Sequence, residues 1–489
     1  MNRRNLLITS AFLSFGLPSA NATAETIAVD LVIVGSGAAG LSAAYWAAKS
    51  GLQNILVLEK EPVIGGSSTI AEGVFSVSDT PFQKAKNIFD RDELFFDDMM
   101  RQGNFKNDPT LVRLYITESK KVFAWFNQHG VYPSGVFLSA GMSAPRGHSF
   151  NSTALIQTLR LECEKKGVRI LTSTQAVKLL TEQHTVSGVV AEAAGHHLVE
   201  IRSLHGIILA TGGFTRNRKM LCQFAPALKN AAVISGIGST GDGITMALPL
   251  GVQLADTAFI KASYGFRLNP ASIVDFTSIY YEGAVIVNQQ GQRFVNESSS
   301  YKTLGEKALE QPGGKSYIIF DNRMRLSAME HRPIDRVLWS GYDRGEPLDF
   351  VFWGNTIEEA AKKAGLSPAT VADTVKQYNH AVDFGQPDAL GRQTLSAGYG
   401  HPLPLKEPPY FIMPSVSAIM GTYCGLRVNT RMQVVGQEGQ PIPGLFAAGE
   451  VMGGVHGENY ITGTGLGKAL TFGKVAGESV ATIAAEWSK

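Results

Sequence analysis

Cysteine is scarce in this chain. Cys163, Cys222 and Cys424 are the three in 489 residues, an odd number at wide spacings, with neither a C-x-x-C-H haem attachment nor paired zinc spacing. No metal site is expected, and the chain carries no haem of its own. If it reduces a substrate, the electrons come from outside, from a cytochrome or the quinone pool. A surplus of one charge sign is also missing: 44 Lys and Arg stand against 42 Asp and Glu, a net charge of +2. That balance gives no drive toward nucleic acid or anionic membrane. Past the first two dozen residues no run reaches 18 apolar residues, so no membrane span is expected in the mature chain.

What is present is a hydrophobic content of 44% with 18% charged residues, enough to bury a large core over two or three domains. Glycine is abundant at 52 and implies many tight turns and close backbone approaches. The opening residues stand apart. Arg3 and Arg4, an apolar stretch from Leu6 to Leu17, and small residues Ala20, Ala22 and Ala24 match a secretory signal over residues 1–24. The paired arginines before Asn5-Leu6-Leu7 look like a twin-arginine signal, which places the protein in the periplasm or outside the cell. A Sec-type signal with incidental arginines is the alternative.

The apolar run Asp30 to Val34 reads as a buried strand, Leu41 to Ser50 as a helix and Asn54 to Glu59 as a second strand, the βαβ opening of a doubly wound α/β sheet. Strand-like stretches at Val168–Leu171, Thr185–Ala191, Leu198–Ser203 and Gly206–Ala210 predict a small antiparallel insertion and a return to the sheet. From about Phe259 to Lys406 the pattern changes to a hairpin-like Ala284 to Asn288 and helices at Thr356–Ala364 and Ser367–Val382. The expected organisation is a Rossmann-like domain over 25–258, an inserted α+β capping domain over 259–406, and a return to the first domain over 407–489, ending in a long helix from about Gly465.

Gly35, Gly37 and Gly40 satisfy G-x-G-x-x-G between the first strand and helix, and Glu59 ends the next strand. Gly35 permits the tight turn, Gly37 admits a pyrophosphate to the backbone, and Gly40 allows close helix-strand packing. The helix N-terminus at Ala38 and Ala39 favours phosphate, and Glu59 can accept hydrogen bonds from a ribose.

Four further motifs follow: Gly65-Gly66-Ser67-Ser68-Thr69-Ile70-Ala71-Glu72-Gly73, Ala210-Thr211-Gly212-Gly213-Phe214, Thr240-Gly241-Asp242-Gly243 and Ala447-Ala448-Gly449-Glu450. In that order they resemble the fumarate reductase and 3-ketosteroid dehydrogenase flavoproteins over nearly the whole mature chain. The resemblance implies FAD as cofactor, with Ser67 and Ser68 near the flavin and ribityl, Asp242 near the cofactor and Glu450 on the ribityl chain. It also assigns Lys60, Gly66, Ala71, Gly73, Ala176, Val177, Ala210, Thr211, Gly212, Gly465 and Leu466 to the cofactor site. Relatives with covalent FAD carry a His where Ser68 stands, so non-covalent FAD is expected. Gly463-Thr464-Gly465-Leu466 sets a helix N-terminus against the flavin pyrimidine.

Gly291-Gln292-Arg293-Phe294-Val295-Asn296-Glu297 belongs to the same resemblance, but the substrate positions differ from soluble fumarate reductases. The arginine that donates a proton there is Tyr301 here. A second cap arginine falls on Tyr280, or Tyr281 with a one-residue slip. The arginine of N-R-L-G-G is Tyr460 in Asn459-Tyr460-Ile461-Thr462-Gly463, and the histidine before T-x-G-G is Gly421. A dianion at such a site lacks bidentate partners. The same places resemble the 3-ketosteroid dehydrogenases, which implies Tyr301 as acid/base and Tyr460, with a backbone N–H near Gly463 to Gly465, as holder of a carbonyl oxygen. Tyr280, Tyr281 or Tyr264 is the candidate neighbour that tunes Tyr301. His456 is a further candidate for flavin contact, as is His148 in Arg146-Gly147-His148-Ser149. The implied activity is hydride and proton transfer across a C–C bond beside a carbonyl, on a conjugated ketone, enone or enoate. A fumarate- or urocanate-type carboxylate reductase fed by a cytochrome, and a non-catalytic flavin-binding or electron-transfer protein, are the alternatives.

Overall fold

The computed structural model describes residues 26–487 apart from 140, 194, 230, 261, 268–275, 332 and 397–399. The expected export signal lies outside the described residues. Leu31–Val34 and Ile55–Leu58 are wholly buried and pair in parallel, with Ile33 opposite Val57. Around them a six-stranded sheet runs in the order Gln433–Val435, Pro441–Ala447, Ile207–Leu209, Leu31–Val34, Ile55–Leu58, Arg169–Leu171, and only its first pair is antiparallel. The three inner strands Ile207–Leu209, Leu31–Val34 and Ile55–Leu58 are wholly buried and need unbroken apolar runs, and this is why they are plain in the sequence. The helix Ala38–Lys49 starts three residues earlier than expected, and it packs heavily on the terminal helix Thr464–Trp487.

The antiparallel insertion consists of Gln175–Glu182, Thr185–Ala193 and His197–Ser203. Two of its strands were missed by sequence reading, Gln175–Glu182 and Thr26–Val29, the latter pairing in parallel with His197–Ser203, while Arg169–Leu171, expected near the insertion, is the parallel edge strand of the six-stranded sheet.

Two hydrophobic cores organise the packing. One draws on residues 29–262 and 419–484, the other on residues 264–413. The expected hairpin after Ala284 does not form as such. Val285–Val287 pairs with Ser316–Asp321, while Arg293 keeps a single bridge to Val287. The ten-residue strand Tyr410–Ile419 pairs with Ser316–Asp321 at its start and with Ala232–Val233 at its end, so one strand runs through both cores. In the cap, Arg293 grips Glu297 through two nitrogens (2.8 and 2.6 Å) and Asp388 through a third contact of 2.6 Å. Glu297 also accepts the Ile286 N–H at 3.0 Å. This buried ion cluster fixes the loop that delivers Tyr301 to the start of the helix Tyr301–Leu309, which Ser300 caps through the Thr303 N–H.

Among the described residues no helix is long and apolar enough to cross a membrane, and no cluster of three or more His, Cys, Asp or Glu is arranged to hold a metal.

Candidate active site

A cavity of about 500 Å³ runs from the G-x-G-x-x-G turn to the cap, within the range of small-molecule sites. At one end Gly35, with φ of 105°, leaves no room for a side chain: an added Cβ would lie 2.3 Å from the Ala210 carbonyl oxygen. The helix Ala38–Lys49 begins without a side-chain cap, and its first amide, on Ala38, donates to Ser68 Oγ at 3.1 Å. Its N-terminal amides and dipole face the cavity, as anion binding requires. Glu59 is buried and accepts from Ser36 N (3.0 Å) and Ser36 Oγ (2.6 Å), which fixes its carboxylate at the end of its strand. Lys60 pairs with Asp242 at 2.7 Å. Further along, the Gly236 N–H donates to Ser67 Oγ (2.9 Å) and the Thr422 N–H to Glu450 Oε1 (2.7 Å). Burial raises the Glu450 carboxyl above its usual range.

Of the residues assigned to the cofactor, Gly35, Gly37, Ala38, Ala39, Glu59, Lys60, Gly66, Ser67, Ser68, Ala71, Ala176, Ala210, Thr211, Gly212, Asp242, Glu450, Gly465 and Leu466 line this cavity. Gly40, Gly73 and Val177 do not. Gly40 sits where the helix crosses the strand, and a Cβ there would meet the Gly35 carbonyl oxygen at 1.8 Å. Gly73 packs on the Phe150 carbonyl oxygen, and Val177 is partly exposed on a strand of the insertion.

The cap end is aromatic. Tyr460 borders the cavity, with the rings of Tyr423 and His456 at 5.7 and 5.6 Å. Tyr301 stands edge-on to Tyr460, with centroids 6.3 Å apart, and is not part of the cavity wall. The Tyr301 hydroxyl meets Thr462 Oγ1 at 3.1 Å and is hydrogen-bonded to Tyr460. Burial pushes the Tyr460 phenol up to about 12, partly offset by the hydrogen bond from Tyr301. Burial carries Tyr301 and Tyr423 well above the usual phenol range, so all three keep their protons at neutral pH.

Tyr280 is corrected by its position. It lies in the buried turn Ile279–Glu282 within the cap core, packed tilted against Tyr264 and edge-on to Tyr281, and its hydroxyl donates to the Tyr264 carbonyl at 3.3 Å. Tyr264 and Tyr281 turn to Ser316 and to the Ser299 carbonyl, and neither borders the cavity. His148 is no cofactor contact either. It is fully buried on the short strand Gly147–Ser149, between the rings of Phe82 and Phe123.

Two lysines at the site escaped sequence reading. Lys302 borders the cavity, donates to Ser263 Oγ at 2.8 Å and lies 4.9 Å from the Tyr460 ring. Its signal was a lysine directly after the N-E-S-x-x-Tyr pattern. Lys468 is the one charged residue in the first ten of the terminal helix. Its ammonium donates to the Met452 carbonyl at 2.7 Å, and burial lowers it to about 8. Among the described residues that line the cavity there is no arginine.

Three buried polar atoms on the cavity wall, Thr211 Oγ1, the Tyr423 hydroxyl and His456 Nδ1, lack a hydrogen-bond partner among the described residues. Buried polar groups are ordinarily satisfied, so the wall is built for a ligand with a polar edge, and a dinucleotide carrying a flavin fits it from phosphate cradle to phenols. A family model described as an FAD binding domain matches residues 30–466. The chain belongs to that family. The flavoprotein is 33% identical over 471 residues to the fumarate reductase (cytochrome) of Shewanella frigidimarina, covering 95% of this chain and 79% of the relative. Its fold is similar to the open conformation of a flavocytochrome c3 fumarate reductase, with a TM-score of 0.79, 31% identity, and coverage of 93% and 78%. It is also similar to the 3-ketosteroid-delta4-(5alpha)-dehydrogenase of Rhodococcus jostii RHA1, with a TM-score of 0.75, 26% identity, and coverage of 95% and 99%. The flavoprotein is an FAD-dependent oxidoreductase acting on CH–CH groups in the fumarate reductase and 3-ketosteroid dehydrogenase superfamily.

Proposed function

We propose that this flavoprotein transfers a hydride and a proton across a C–C bond conjugated to a carbonyl, on an enone, conjugated ketone or enoate. The observation that carries the reading is the cap end of the cavity, where phenols stand and no guanidinium borders the wall. A dicarboxylate there has two charges to desolvate, each costing several kcal/mol without a charged partner, roughly. A ketone or a single carboxylate asks for much less.

The chemistry supplied by a bound flavin is hydride exchange at its ring nitrogen N5. The chain's own residues handle the proton and the carbonyl. Because Tyr460 borders the wall and Tyr301 does not, the acid/base role expected of Tyr301 passes to Tyr460, which gives the proton to the carbon beside the carbonyl, while Tyr301 behind it stabilises the oxygen left bare. The carbonyl oxygen expected on Tyr460 is held instead by Tyr423, whose hydroxyl has no partner among the described residues and donates to that oxygen as it gains charge. Lys302 adds a positive potential at the same end. The N-terminus of Thr464–Trp487, lined by Gly465 and Leu466, favours negative charge on the adjacent ring system. Ser68 offers no imidazole for a covalent link, which supports non-covalent FAD.

A carboxylate reductase fed by a cytochrome is the second reading, supported by the cytochrome-dependent relative and by Lys302, which can pair one carboxylate. Export through the paired arginines fits either reading. Anaerobically reduced yellow protein mixed in turn with fumarate, urocanate, cinnamate, an enone and a steroid dienone separates them. Reoxidation of the flavin by the enone, dienone or cinnamate is the expected result. Fast reoxidation by fumarate alone overturns the first reading.

A further inference from the structure

The phenols at the cavity do not end the hydrogen-bonded line that begins with them. Tyr301 and Tyr460 are joined through their hydroxyls, Tyr301 meets Thr462 Oγ1 at 3.1 Å, and Thr462 Oγ1 meets Ser139 Oγ at 2.8 Å. Ser139 is half-buried, in the stretch between the strands Gly135–Phe137 and Gly147–Ser149. Four hydroxyls from three separate chain segments thus lead from the cavity wall toward solvent. The hydroxyl at 462 is itself a departure, because the N-R-L-G-G pattern has glycine there. Its turn is held from two sides: Ser76 Oγ donates to the Thr462 carbonyl at 2.6 Å, and the Asn459 amide donates to Ser300 Oγ at 3.1 Å, tying this turn to the start of the Tyr301 helix.

We propose that Ser139 and Thr462 form a proton relay that recharges the Tyr301–Tyr460 couple, one proton per turnover. The inference rests on the proposed reaction. In the reducing direction the Tyr460 O–H bond breaks as the substrate C–H bond forms. The Tyr301 proton moves to the Tyr460 oxygen, the Thr462 proton to Tyr301, the Ser139 proton to Thr462, and a water proton to Ser139. No electrons move along the line, and every hydroxyl ends as it began. In the oxidising direction the same transfers run outward. Each hydroxyl both donates and accepts, which the line requires and a methyl group cannot supply.

The test uses the FAD-loaded full chain, with dithionite-reduced methyl viologen as electron source and the alkene that reoxidises the wild type. Thr462→Val keeps the shape and removes the hydroxyl. Its steady-state turnover is expected to fall at least tenfold, within the range general acid–base groups command. The first turnover after mixing draws on the proton already on the phenols and should fall far less. Thr462→Ser should restore steady turnover, as should small proton carriers such as imidazole added to Thr462→Val. Equal loss in the first and later turnovers, or equal loss in Thr462→Val and Thr462→Ser, makes the role structural and overturns the relay. Wild-type rates in Thr462→Val overturn it as well and leave the proposed reaction standing. A wild type that no alkene reoxidises overturns the reaction, and the relay falls with it.

Discussion

The rings of Tyr301 and Tyr460 meet edge to face at 87°, and only the second of them touches the cavity. The hydrogen bond from Tyr301 lowers the phenol it supports while burial raises both. The pair therefore has an inner member that titrates more easily and an outer member that holds its proton more firmly.

Removing the outer hydroxyl should disable the couple without disturbing the cofactor. Tyr301→Phe is expected to retain the yellow colour and flavin spectrum but to lose about 100-fold or more in the rate of flavin reoxidation by alkene. It should also push the Tyr460 phenol higher still, because the donor that stabilises its ionised form is gone. Stopped-flow absorbance checks both rate and spectrum, and an unchanged rate removes Tyr301 from the reaction.

Gly35 tests the other end. With φ at 105° and the Ala210 carbonyl oxygen 2.3 Å from where a Cβ would sit, Gly35→Ala forces the first turn away from the adjoining strand. The variant is expected to purify largely colourless, with FAD content below a tenth of wild type by absorbance after heat release. Full FAD occupancy in a folded variant would show that the turn tolerates the shift.

His148 gives a pH dependence. Burial lowers its ring to about 4, and its nitrogens already bind Thr80 Oγ1 and the Arg146 carbonyl, each at 2.9 Å. Between pH 6.5 and 4 the unfolded chain binds a proton here that the folded chain does not. Stability from this site is therefore complete above pH 6.5 and declines as pH falls toward 4, by at most about 1.4 kcal/mol per unit. Thermal unfolding midpoints should fall across that window in the wild type and fall less in His148→Gln. Parallel curves would exclude the ring as the cause.

The phosphate end was readable because its constraint is steric. A backbone approach that no Cβ survives demands glycine at fixed spacing, and Gly35 and Gly40 obey it. The reactive end was read only in part. Tyr460 follows the motif, but counting back along the chain to Tyr280 could not show that the turn Ile279–Glu282 faces the cap interior and not the cavity. Lys302 was passed over because a lysine in the first turn of a helix usually reaches water. Here the cap closes over it. Thr26–Val29 was missed for a similar reason: its role is set by pairing with His197–Ser203, about 170 residues away, and four residues carry no periodicity of their own.

The strand Tyr410–Ile419 is stitched into the cap along its first half and into the FAD-binding core at its last two residues, and Met420 to Tyr423 continue from it directly onto the cavity wall. No slack separates them. Any displacement of the first half of this strand is carried straight to Tyr423, so the packing of the second core and the position of a phenol on the wall are mechanically joined.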